Sequence, residues 1–280
     1  MFKQMYKEKF MRFPEGRAKA LTLSYDDGVS ADKRLLKLFN KFGLKGAFNL
    51  NNPLYGAGKH GTMAEAEAFE VYKNCGQEIA LHGDKHIFLT KVPLSEAAAE
   101  ILDNRNYLEN KYGVIVRGMA YAYGDFNQKV KDMLAALGVI YARTTRSTHA
   151  FDMPTDWLEL NPTCHHTEDI FGSLTEKFLS ADPNAEFKKR EPLLYYVWGH
   201  SYEFDDNNNW NIIEDFAKKV SNRRDIWYAG GEEIYEYTKA YESLVYSADG
   251  ERVYNPSHIP VWMDVRGKTY KIDAGATIKL

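Results

Sequence analysis

The stretch "LTLSYDDGVS", from Leu21 to Ser30, ends an apolar, strand-like run with two adjacent aspartates, Asp26 and Asp27, followed directly by Gly28. In parallel α/β folds the functional side chains collect where strands end, because the loops and the helix N-termini open there. Neighbouring strand residues point to opposite faces, but a glycine beside them lets the backbone bend so that both carboxylates reach one cavity. Two carboxylates at one place repel each other unless a cation lies beside them. The stretch therefore predicts a cation site at a strand end.

Candidate ligands follow a later predicted strand in "QEIALHGDKHIFL", where His82 and His86 stand four residues apart. Residues at this spacing converge on one turn of a helix or tight loop. An aspartate with two histidines is a known ligand class for zinc-type sites that keep positions open for water and substrate. The alternative is a pair of surface or hydrogen-bonded histidines, and this spacing alone does not decide between the two.

The rest of the chain alternates short β-rich segments with amphipathic helical ones, which is typical of α/β folds with a parallel sheet or barrel. The first unit is a strand over "KALTLSY", a helix over "ADKRLLKLFNKF" that ends at Gly43, and a strand over "GAFNLN". Ser95 is expected to cap the long helix that follows it. Residues 144–167 lack periodicity and predict a long loop, and the tail after Asp249 predicts one or two antiparallel hairpins.

The charge balance and the cysteines narrow the class of protein. Lys and Arg total 36 against 39 Asp and Glu, a net charge of −3, and no basic run could follow a nucleic acid backbone. No segment has the length of a membrane span, and the start of the chain lacks the apolar core of a secretory signal. Cys75 and Cys164 stand far apart, which fits a reducing compartment and a metal site without thiolates. We expect a cytoplasmic protein with neither a nucleic acid nor a membrane partner.

Four stretches carry a resemblance to a known family, and they occur in its order: "LTLSYDDG", "LHGDKH", "AYAYGDFN" and "YYVWGH". Together they resemble the motifs of the polysaccharide deacetylase family, the NodB homology domain of carbohydrate esterase family 4, over about residues 18–245. The chain is most similar to a divergent branch without signal peptide. The resemblance implies a distorted (β/α) barrel of about seven parallel strands over residues 1–248 and a short C-terminal β-hairpin extension over residues 249–280.

The resemblance also implies roles for individual residues. Asp26 would be the general base and His200 the general acid, while Asp27, His82 and His86 would hold a divalent metal. Zinc is the expected ion, with cobalt, nickel or manganese as alternatives, and metal-bound water would be the nucleophile. In the family a backbone N–H at the tyrosine of the third motif helps to hold the oxyanion, and that residue is Tyr123 here.

Three departures from the family pattern leave partners open. The arginine that orients the base should stand three residues before Tyr123, where this chain has Ala120, so Arg117, Arg143 and Arg146 are the candidates to replace it. The hydroxyl residue of the second motif is Gly83, and Asp84 or Thr90 could steady the histidine loop instead. The aspartate that partners the catalytic histidine has no clear counterpart; the candidates are Asp152 and Asp156, of which Asp156, next to Trp157, is closer to the pattern.

Further side chains are expected near the mouth of the barrel. Trp157 and Tyr202 are candidates for a substrate wall, although aromatic residues are more often packed in a core or rim. The histidines of the long loop could contact substrate or be satisfied by water and backbone, and the adjacent pair could bind adventitious metal; they are His149, His165 and His166. The acidic residues beyond His200 predict a solvated loop rather than a second catalytic pair; they are Glu203, Asp205 and Asp206.

The leading hypothesis is a metal-dependent hydrolase that removes acetyl groups from an N-acetylated or O-acetylated sugar or oligosaccharide. One alternative is a catalytically degenerate barrel that binds carbohydrate, favoured by Ala120 and the unclear fourth motif. Another is a related hydrolase of other C–N bonds in a small cyclic amide. The partner is thus an acetylated carbohydrate or a small acylated molecule, and no pattern in the sequence indicates an oligomeric state.

Overall fold

The computed structural model describes residues 8–53, 62–185 and 190–280. The strands of this part of the chain are β1 (Lys9–Arg12), β2 (Lys19–Asp26), β3 (Gly46–Leu50), β4 (Glu78–Leu81), β5 (Gly118–Ala120), β6 (Tyr141–Arg143), β7 (Cys164–His165), β8 (Leu193–Gly199), β9 (Ile226–Tyr228), β10 (Val245–Tyr246), β11 (Arg252–Tyr254), β12 (Val261–Val265), β13 (Lys268–Ile272) and β14 (Thr277–Lys279). The α-helices are α1 (Asp32–Phe42), α2 (Glu65–Tyr72), α3 (Leu94–Tyr112), α4 (Gln128–Ala136), α5 (Phe171–Ser180), α6 (Tyr202–Asp206), α7 (Asn211–Val220) and α8 (Gly231–Glu242).

The central sheet is parallel and runs in the order β6-β5-β4-β3-β2-β8-β7, with β9 joining β2 outside this path. The seven strands of the path curl into a half-barrel, which confirms the predicted α/β class and the predicted strand number. Every residue of β2 is buried, because β2 pairs with β3 and β8 and is covered on both faces. The two-aspartate stretch therefore ends a strand in the interior of the sheet.

A local sequence signal accounts for the end of the first helix but not for the start of the third. The helix α1 buries Leu35, Leu36 and Phe39 and ends at Gly43, whose φ of 64° lets its N–H bond to the carbonyl of Phe39. The expectation that Ser95 caps α3 is wrong. The helix already begins at Leu94, since Pro93 has an extended backbone that leads straight into the first turn.

The C-terminal tail forms the predicted hairpin, β12 with β13, and adds a short sheet of β10, β11 and β14. The strand β1 pairs antiparallel with β12, so the start of the described chain belongs to the same sheet as the tail. The domain boundary between residues 248 and 249 remains a prediction, and strands on both sides of it pair with each other.

The segment 144–167 is more ordered than a plain loop. Most of it is irregular, as predicted, but it contains a 3₁₀ turn at Trp157–Glu159 and ends in β7, which extends the sheet beside β8. The sequence did not indicate β7, because two residues are too short for a periodic pattern. In the part of the chain that is described, no helix is both long and apolar enough to cross a membrane.

Candidate active site

The predicted catalytic residues meet at one edge of the sheet. Asp26 ends β2, His82 follows β4, Arg143 ends β6 and His200 follows β8. All pairs in the sheet are parallel, so the carboxyl ends of the strands share one edge. The sheet therefore brings together side chains that are up to 174 residues apart in the sequence, the separation of Asp26 and His200.

Asp27, His82 and His86 form a compact group. The Oδ1 atom of Asp27 lies 3.5 Å from Nε2 of His82 and 3.6 Å from Nε2 of His86, and the two Nε2 atoms are 3.1 Å apart. Asp27 and His86 adopt positive φ angles, 79° and 57°, which non-glycine residues seldom adopt. The bend predicted at Gly28 thus begins at Asp27 itself, and Gly28 continues it with a φ of 67°.

The chemistry of this group fits a divalent cation. The Nδ1–H of His82 donates to the carbonyl of Ala120 at 2.9 Å, which leaves Nε2 with a free electron pair in the neutral ring. The Oδ1 atom of Asp27 is buried and has no aligned hydrogen-bond donor among the described residues. A carboxylate oxygen and two imidazole nitrogens that face one another at these distances lack a positive partner, and a zinc-type ion is the partner that such donors prefer.

Asp26 is held from two sides. Its Oδ1 accepts from Nδ2 of Asn49 at 2.7 Å, and its Oδ2 accepts from the guanidinium of Arg143. Asp26 is 2% exposed and Arg143 is not exposed at all. Burial alone would raise the pKa of Asp26, but the charges of Arg143, His82 and His200 outweigh it, so this pKa lies below its ordinary value. The carboxylate is therefore ionised and fixed in orientation.

Only Arg143 of the three candidate arginines lies beside Asp26. Arg143 pairs with Ala120 in the register of β5 and β6. Its guanidinium therefore comes from β6, the neighbour of the strand in which Ala120 occupies the position of the family's arginine. Arg117 instead pairs with Glu232 and Glu236 of α8, and Arg146 pairs with Glu159 on the surface. The expectation that Arg117 or Arg146 reaches the base is therefore wrong, because each is held by a carboxylate elsewhere.

The loop that carries the two histidines is held by several polar contacts. Gly83 has a φ of 84°, and a Cβ atom there would lie 2.9 Å from Oε1 of Glu100, which also accepts the N–H of Lys85. A side chain at position 83 would collide with this carboxylate, which explains the glycine in place of a hydroxyl residue. Asn51 donates to the carbonyls of His82 and Gly83.

Both candidates for steadying this loop contribute. Asp84 accepts from Nδ2 of Asn52 at 3.0 Å. Thr90 donates from its backbone and from its hydroxyl to the two oxygens of Asp125, at 2.7 Å each. The link between Thr90 and Asp125 joins the loop after β4 to the loop after β5, which carries Tyr123.

His200 has Glu203 as its carboxylate partner. The Nδ1 of His200 lies 3.4 Å from Oε2 of Glu203, and the backbone N–H of His200 donates to the same oxygen at 3.0 Å. The Nε2 of His200 points toward the aspartates, 3.9 Å from Oδ2 of Asp26 and 4.0 Å from Oδ2 of Asp27. The prediction of a solvated loop is thus wrong for Glu203, which turns inward.

Asp156 does not partner His200. Its carboxylate pairs with Lys131 and caps the 3₁₀ turn by accepting the N–H of Leu158. Asp152 lies on the wall of a separate cavity of about 460 Å³ together with Asp156. The pairing expected from the fourth motif is therefore wrong, because Lys131 holds Asp156, both aspartates line this separate cavity, and Glu203 is the carboxylate beside His200.

The surroundings of Asp26 and His200 favour the charged form of each side chain. Burial opposes the charged form of His200, but Glu203, Asp26 and Asp27 outweigh it and raise its pKa. Burial and the neighbouring His82 lower the pKa of His86 to about 4, so this ring is neutral. A protonated His200 facing an ionised Asp26 is the arrangement that an acid and a base require.

The aromatic candidates separate into core and mouth. Trp157 is buried and packs edge-on against Tyr235 at 5.1 Å, so its assignment to the substrate wall is wrong. The ring of Tyr202 lies 5.1 Å from that of His200, at the site. Tyr123 is 56% exposed and stacks on Phe88 at 4.0 Å, with its ring 4.4 Å from that of His86.

The three histidines of the 144–167 segment lie in two different places. His149 is exposed and pairs with Glu168 at 2.6 Å. His165 and His166 lie next to Glu203 behind His200, which puts them beside the site and not at its mouth.

The sequence reasoning missed Asn49 and Asp125. Asn49 is a polar residue inside a strand whose other residues are apolar or glycine, and that exception was a signal that it faces a polar partner. Asp125 lies within the third quoted stretch, "AYAYGDFN", but nothing local shows that it binds Thr90. The role of Glu203 had one signal, its position three residues after His200.

Comparisons with known proteins agree with this geometry. Residues 13–142 match the family model described as polysaccharide deacetylase. A structure from Mycobacterium smegmatis assigned to the polysaccharide deacetylases is 19% identical with a TM-score of 0.61, covering 83% of this chain and 94% of its own. The family 4 carbohydrate esterase domain of a multidomain xylanase from the hindgut metagenome of Trinervitermes trinervoides is 15% identical, with a TM-score of 0.50 and coverages of 79% and 92%.

A third structure, a family 4 carbohydrate esterase pseudoenzyme from Bacillus anthracis, is 12% identical with a TM-score of 0.47 and coverages of 81% and 68%. No curated protein matches the chain. The first two structures share its fold, and the family model matches the part that carries Asp26, Asp27, His82 and His86. The match of residues 13–142 thus confirms the resemblance to the polysaccharide deacetylase family that the four motifs predicted.

Proposed function

We propose that this protein is a divalent-metal-dependent hydrolase that removes acetyl groups from an N-acetylated or O-acetylated sugar or oligosaccharide. The observation that carries the proposal is the approach of Asp26 Oδ2 and His200 Nε2 to 3.9 Å beside the group Asp27, His82 and His86. A base, an acid and a candidate cation site in one place are what acyl hydrolysis needs, whereas a binding protein needs none of them.

In this proposal Asp27, His82 and His86 hold the cation, and zinc fits their donor atoms. When bound, such an ion lowers the pKa of water and polarises the acetyl carbonyl. Asp26 takes a proton from the attacking water, while Asn49 and Arg143 keep its carboxylate aimed at the site. The oxygen of that water bonds to the acetyl carbon, and the backbone N–H of Tyr123 is the proposed donor to the resulting oxyanion.

His200 then completes the reaction. The bond from the acetyl carbon to the sugar nitrogen or oxygen breaks, and Nε2 of His200 gives its proton to that leaving atom. Glu203 stabilises the charged ring before transfer and fixes its direction through Nδ1. The products are acetate and a free amino or hydroxyl group on the sugar.

The surroundings favour a sugar ring as substrate. Phe88 and Tyr123 are 44% and 56% exposed, and their rings are nearly parallel, at 10°. An exposed aromatic pair of this kind offers apolar ring surface against which the face of a sugar ring can pack. It lies beside His86, so a sugar that covers it would have its acetyl group near the cation site.

The position of Arg143 also weakens the main reason for a degenerate binder. That alternative drew its support from Ala120 and from the unclear fourth motif, and the guanidinium missing at Ala120 is supplied from the neighbouring strand instead.

The test separates the base from the acid by the leaving group. Acetate release is measured for N-acetylglucosamine oligomers and for an aryl acetate, whose leaving group needs no proton. Asp26→Asn should reduce both activities by at least about 100-fold, whereas His200→Ala should reduce only the first by about that factor. Glu203→Gln should follow the pattern of His200→Ala to a smaller degree, and Asp206→Asn, on the same helix, serves as the matched control.

Three results would contradict the proposal. Acetate release that survives Asp26→Asn would show that Asp26 is not the general base. Sugar binding without any acetate release would favour the degenerate barrel. Ring opening of a cyclic amide without deacetylation would favour the other class of C–N hydrolase.

A further inference from the structure

A second cluster of metal-type donor atoms lies behind His200, apart from the first group. His165 ends β7, His166 follows it, and Glu203 lies in α6. The Nε2 atoms of both histidines are 3.3 Å from Oε2 of Glu203, and one donor atom of each residue lies within 4.8 Å of the others. Neither the family motifs nor the proposed reaction uses His165 or His166.

His166 carries the strongest sign of a missing partner. It is 2% exposed, and neither Nδ1 nor Nε2 has an aligned hydrogen-bond partner among the described residues. Its ring stacks between Tyr25 at 5.6 Å and Phe204 at 4.2 Å, so it cannot turn toward water. Leaving a buried polar group without a partner costs roughly 1–3 kcal/mol, and a structure seldom tolerates this without a ligand.

The backbone makes room for this ring. A Cβ atom on Gly199 would lie 2.0 Å from Nδ1 of His166. The glycine of the "YYVWGH" motif therefore lets the imidazole pack against β8, directly before His200.

His165 can also offer a nitrogen to this cluster, because its Nε2 faces Glu203 while its Nδ1 has a partner of its own. Its Nδ1 lies 2.7 Å from the hydroxyl of Thr167, which can accept the ring N–H and leave Nε2 free to bind an ion. In the opposite tautomer Nδ1 of His165 would accept the backbone N–H of Thr167, at 3.2 Å, and Nε2–H would donate to Glu203. This is the hydrogen-bonded alternative that the experiment must exclude.

We infer that His165, His166 and Glu203 form a second divalent-cation site, of the zinc type. Ligands at about 2.1 Å from a tetrahedral ion lie roughly 3.4 Å apart, close to the two separations of 3.3 Å. Two imidazoles and one carboxylate suit zinc, cobalt or nickel better than calcium or magnesium. A cation here would bind the same carboxylate that contacts Nδ1 of His200, so the site adjoins the proposed general acid.

A cavity adjoins the cluster between α5 and α7. His166 lines a cavity of about 320 Å³ there, and the wall of the cavity carries the carboxylates of Glu168, Asp169 and Asp215. The amine of Lys219 is the cation on that wall, and it pairs with Glu176. The excess of carboxylates favours entry of a divalent cation.

The experiment counts bound metal in the full chain. The protein is stripped with a chelator, reloaded with Zn²⁺ or with Co²⁺, desalted and analysed for metal per chain; thermal unfolding checks the fold of every variant. We expect about two ions in the wild type, one in His82→Ala, one in His165→Ala and one in Glu203→Gln. His149→Ala, an exposed histidine paired with Glu168, is the matched control and should keep two.

The stoichiometry of the wild type decides the outcome even if a variant fails to fold. One ion that is lost in His82→Ala and kept in His165→Ala would overturn the second site and leave the first intact. One ion that is lost in His165→Ala and kept in His82→Ala would support the second site and contradict the metal site of the proposed function. No bound ion after reloading would overturn both.

Discussion

Arg143 shows how one residue can replace another without occupying its position. Its guanidinium is fully buried and contacts Asp26, the hydroxyl of Ser24 at 3.1 Å and the carbonyl of Thr144 at 3.2 Å. It also lies over the ring of Trp198, with 4.2 Å between Cζ and the ring centre. An arginine with this many partners is both a charge for Asp26 and a packing element of the strand ends.

We predict that Arg143→Ala destabilises the protein strongly and inactivates it. Removing one partner of a buried ion pair leaves Asp26 charged without compensation, so the free energy of unfolding should fall by about 3–5 kcal/mol. Acetate release should fall by at least about 100-fold, and Arg143→Lys should lie between wild type and alanine because lysine cannot reach all three partners. Denaturant unfolding and initial rates measure the two effects.

The control for this change is Arg146→Ala, which removes an exposed pair with Glu159. Its unfolding free energy should change by no more than about 0.5 kcal/mol, with normal activity. Equal effects of the two alanine variants would show that the buried pair has no special importance.

At the scale of elements, the site depends on loops that are tied to each other. The loop after β4 carries His82 and His86, the loop after β5 carries Tyr123, and the link between Thr90 and Asp125 joins them. Each loop has a strained residue, since His86 and Tyr123 both have a φ of 57°. Cross-links of this kind hold such conformations in place.

We predict that Thr90→Val lowers kcat several-fold while costing about 1 kcal/mol of unfolding free energy. Valine keeps the shape of threonine but removes the hydroxyl, which leaves one oxygen of Asp125 without its donor. The loops should then hold Tyr123 and His86 less firmly. Steady-state kinetics and denaturant unfolding provide the measurement.

A variant with similar stability loss away from the site makes this prediction specific. Gly43→Ala places a Cβ in open space at a φ of 64°, so it should cost about 1 kcal/mol through the backbone alone. Its kcat should equal that of the wild type. A parallel loss of kcat in both variants would mean that general destabilisation, and not the loop link, explains the effect.

At the scale of the whole molecule, the two edges of the central sheet, where its strands begin and end, carry different chemistry. The proposed functional residues occupy the carboxyl edge of the sheet, whereas Glu78 begins β4 at the opposite edge. There it accepts from the hydroxyl of Tyr141 at 2.6 Å and from the backbone N–H of Glu232 at 3.1 Å. Burial raises the pKa of Glu78 to about 7, and Glu232 and Glu233 add to the effect.

We predict that Glu78 makes stability fall with rising pH. Its folded pKa of about 7 exceeds the ordinary value of 4.5, so ionisation costs free energy only in the folded state. The cost is absent below about pH 4.5 and complete above about pH 7. Between pH 5 and pH 8 the wild type should therefore lose about 2–3 kcal/mol relative to Glu78→Gln, which cannot ionise.

Denaturant unfolding of both proteins at pH 5, 6, 7 and 8 gives this difference and cancels the titration of all other groups. Glutamine retains one acceptor for two donors, so the variant can be less stable at pH 5. Parallel stability curves for the two proteins would contradict the prediction.

The sequence by itself determined what depends on near neighbours. Alternating patterns indicated the strands and helices, Gly43 ended α1 as expected, and the order of the motifs predicted the family and the barrel. Asp27, His82 and His86 were predicted as a group, and the structure brings them together. Their grouping was accessible because two short motifs at strand ends supply all three residues, and strand ends of a parallel sheet share one edge.

Only the tertiary structure decided which residues support that group. Arg143 and not Arg117 or Arg146 reaches Asp26, because the register of β5 and β6 sets Arg143 opposite Ala120. Glu203 and not Asp156 faces His200, because one turn after β8 directs that carboxylate inward while Lys131 holds the other away. Such pairings depend on sheet register and loop direction, which a local pattern does not encode because they are set by packing between segments distant in the chain.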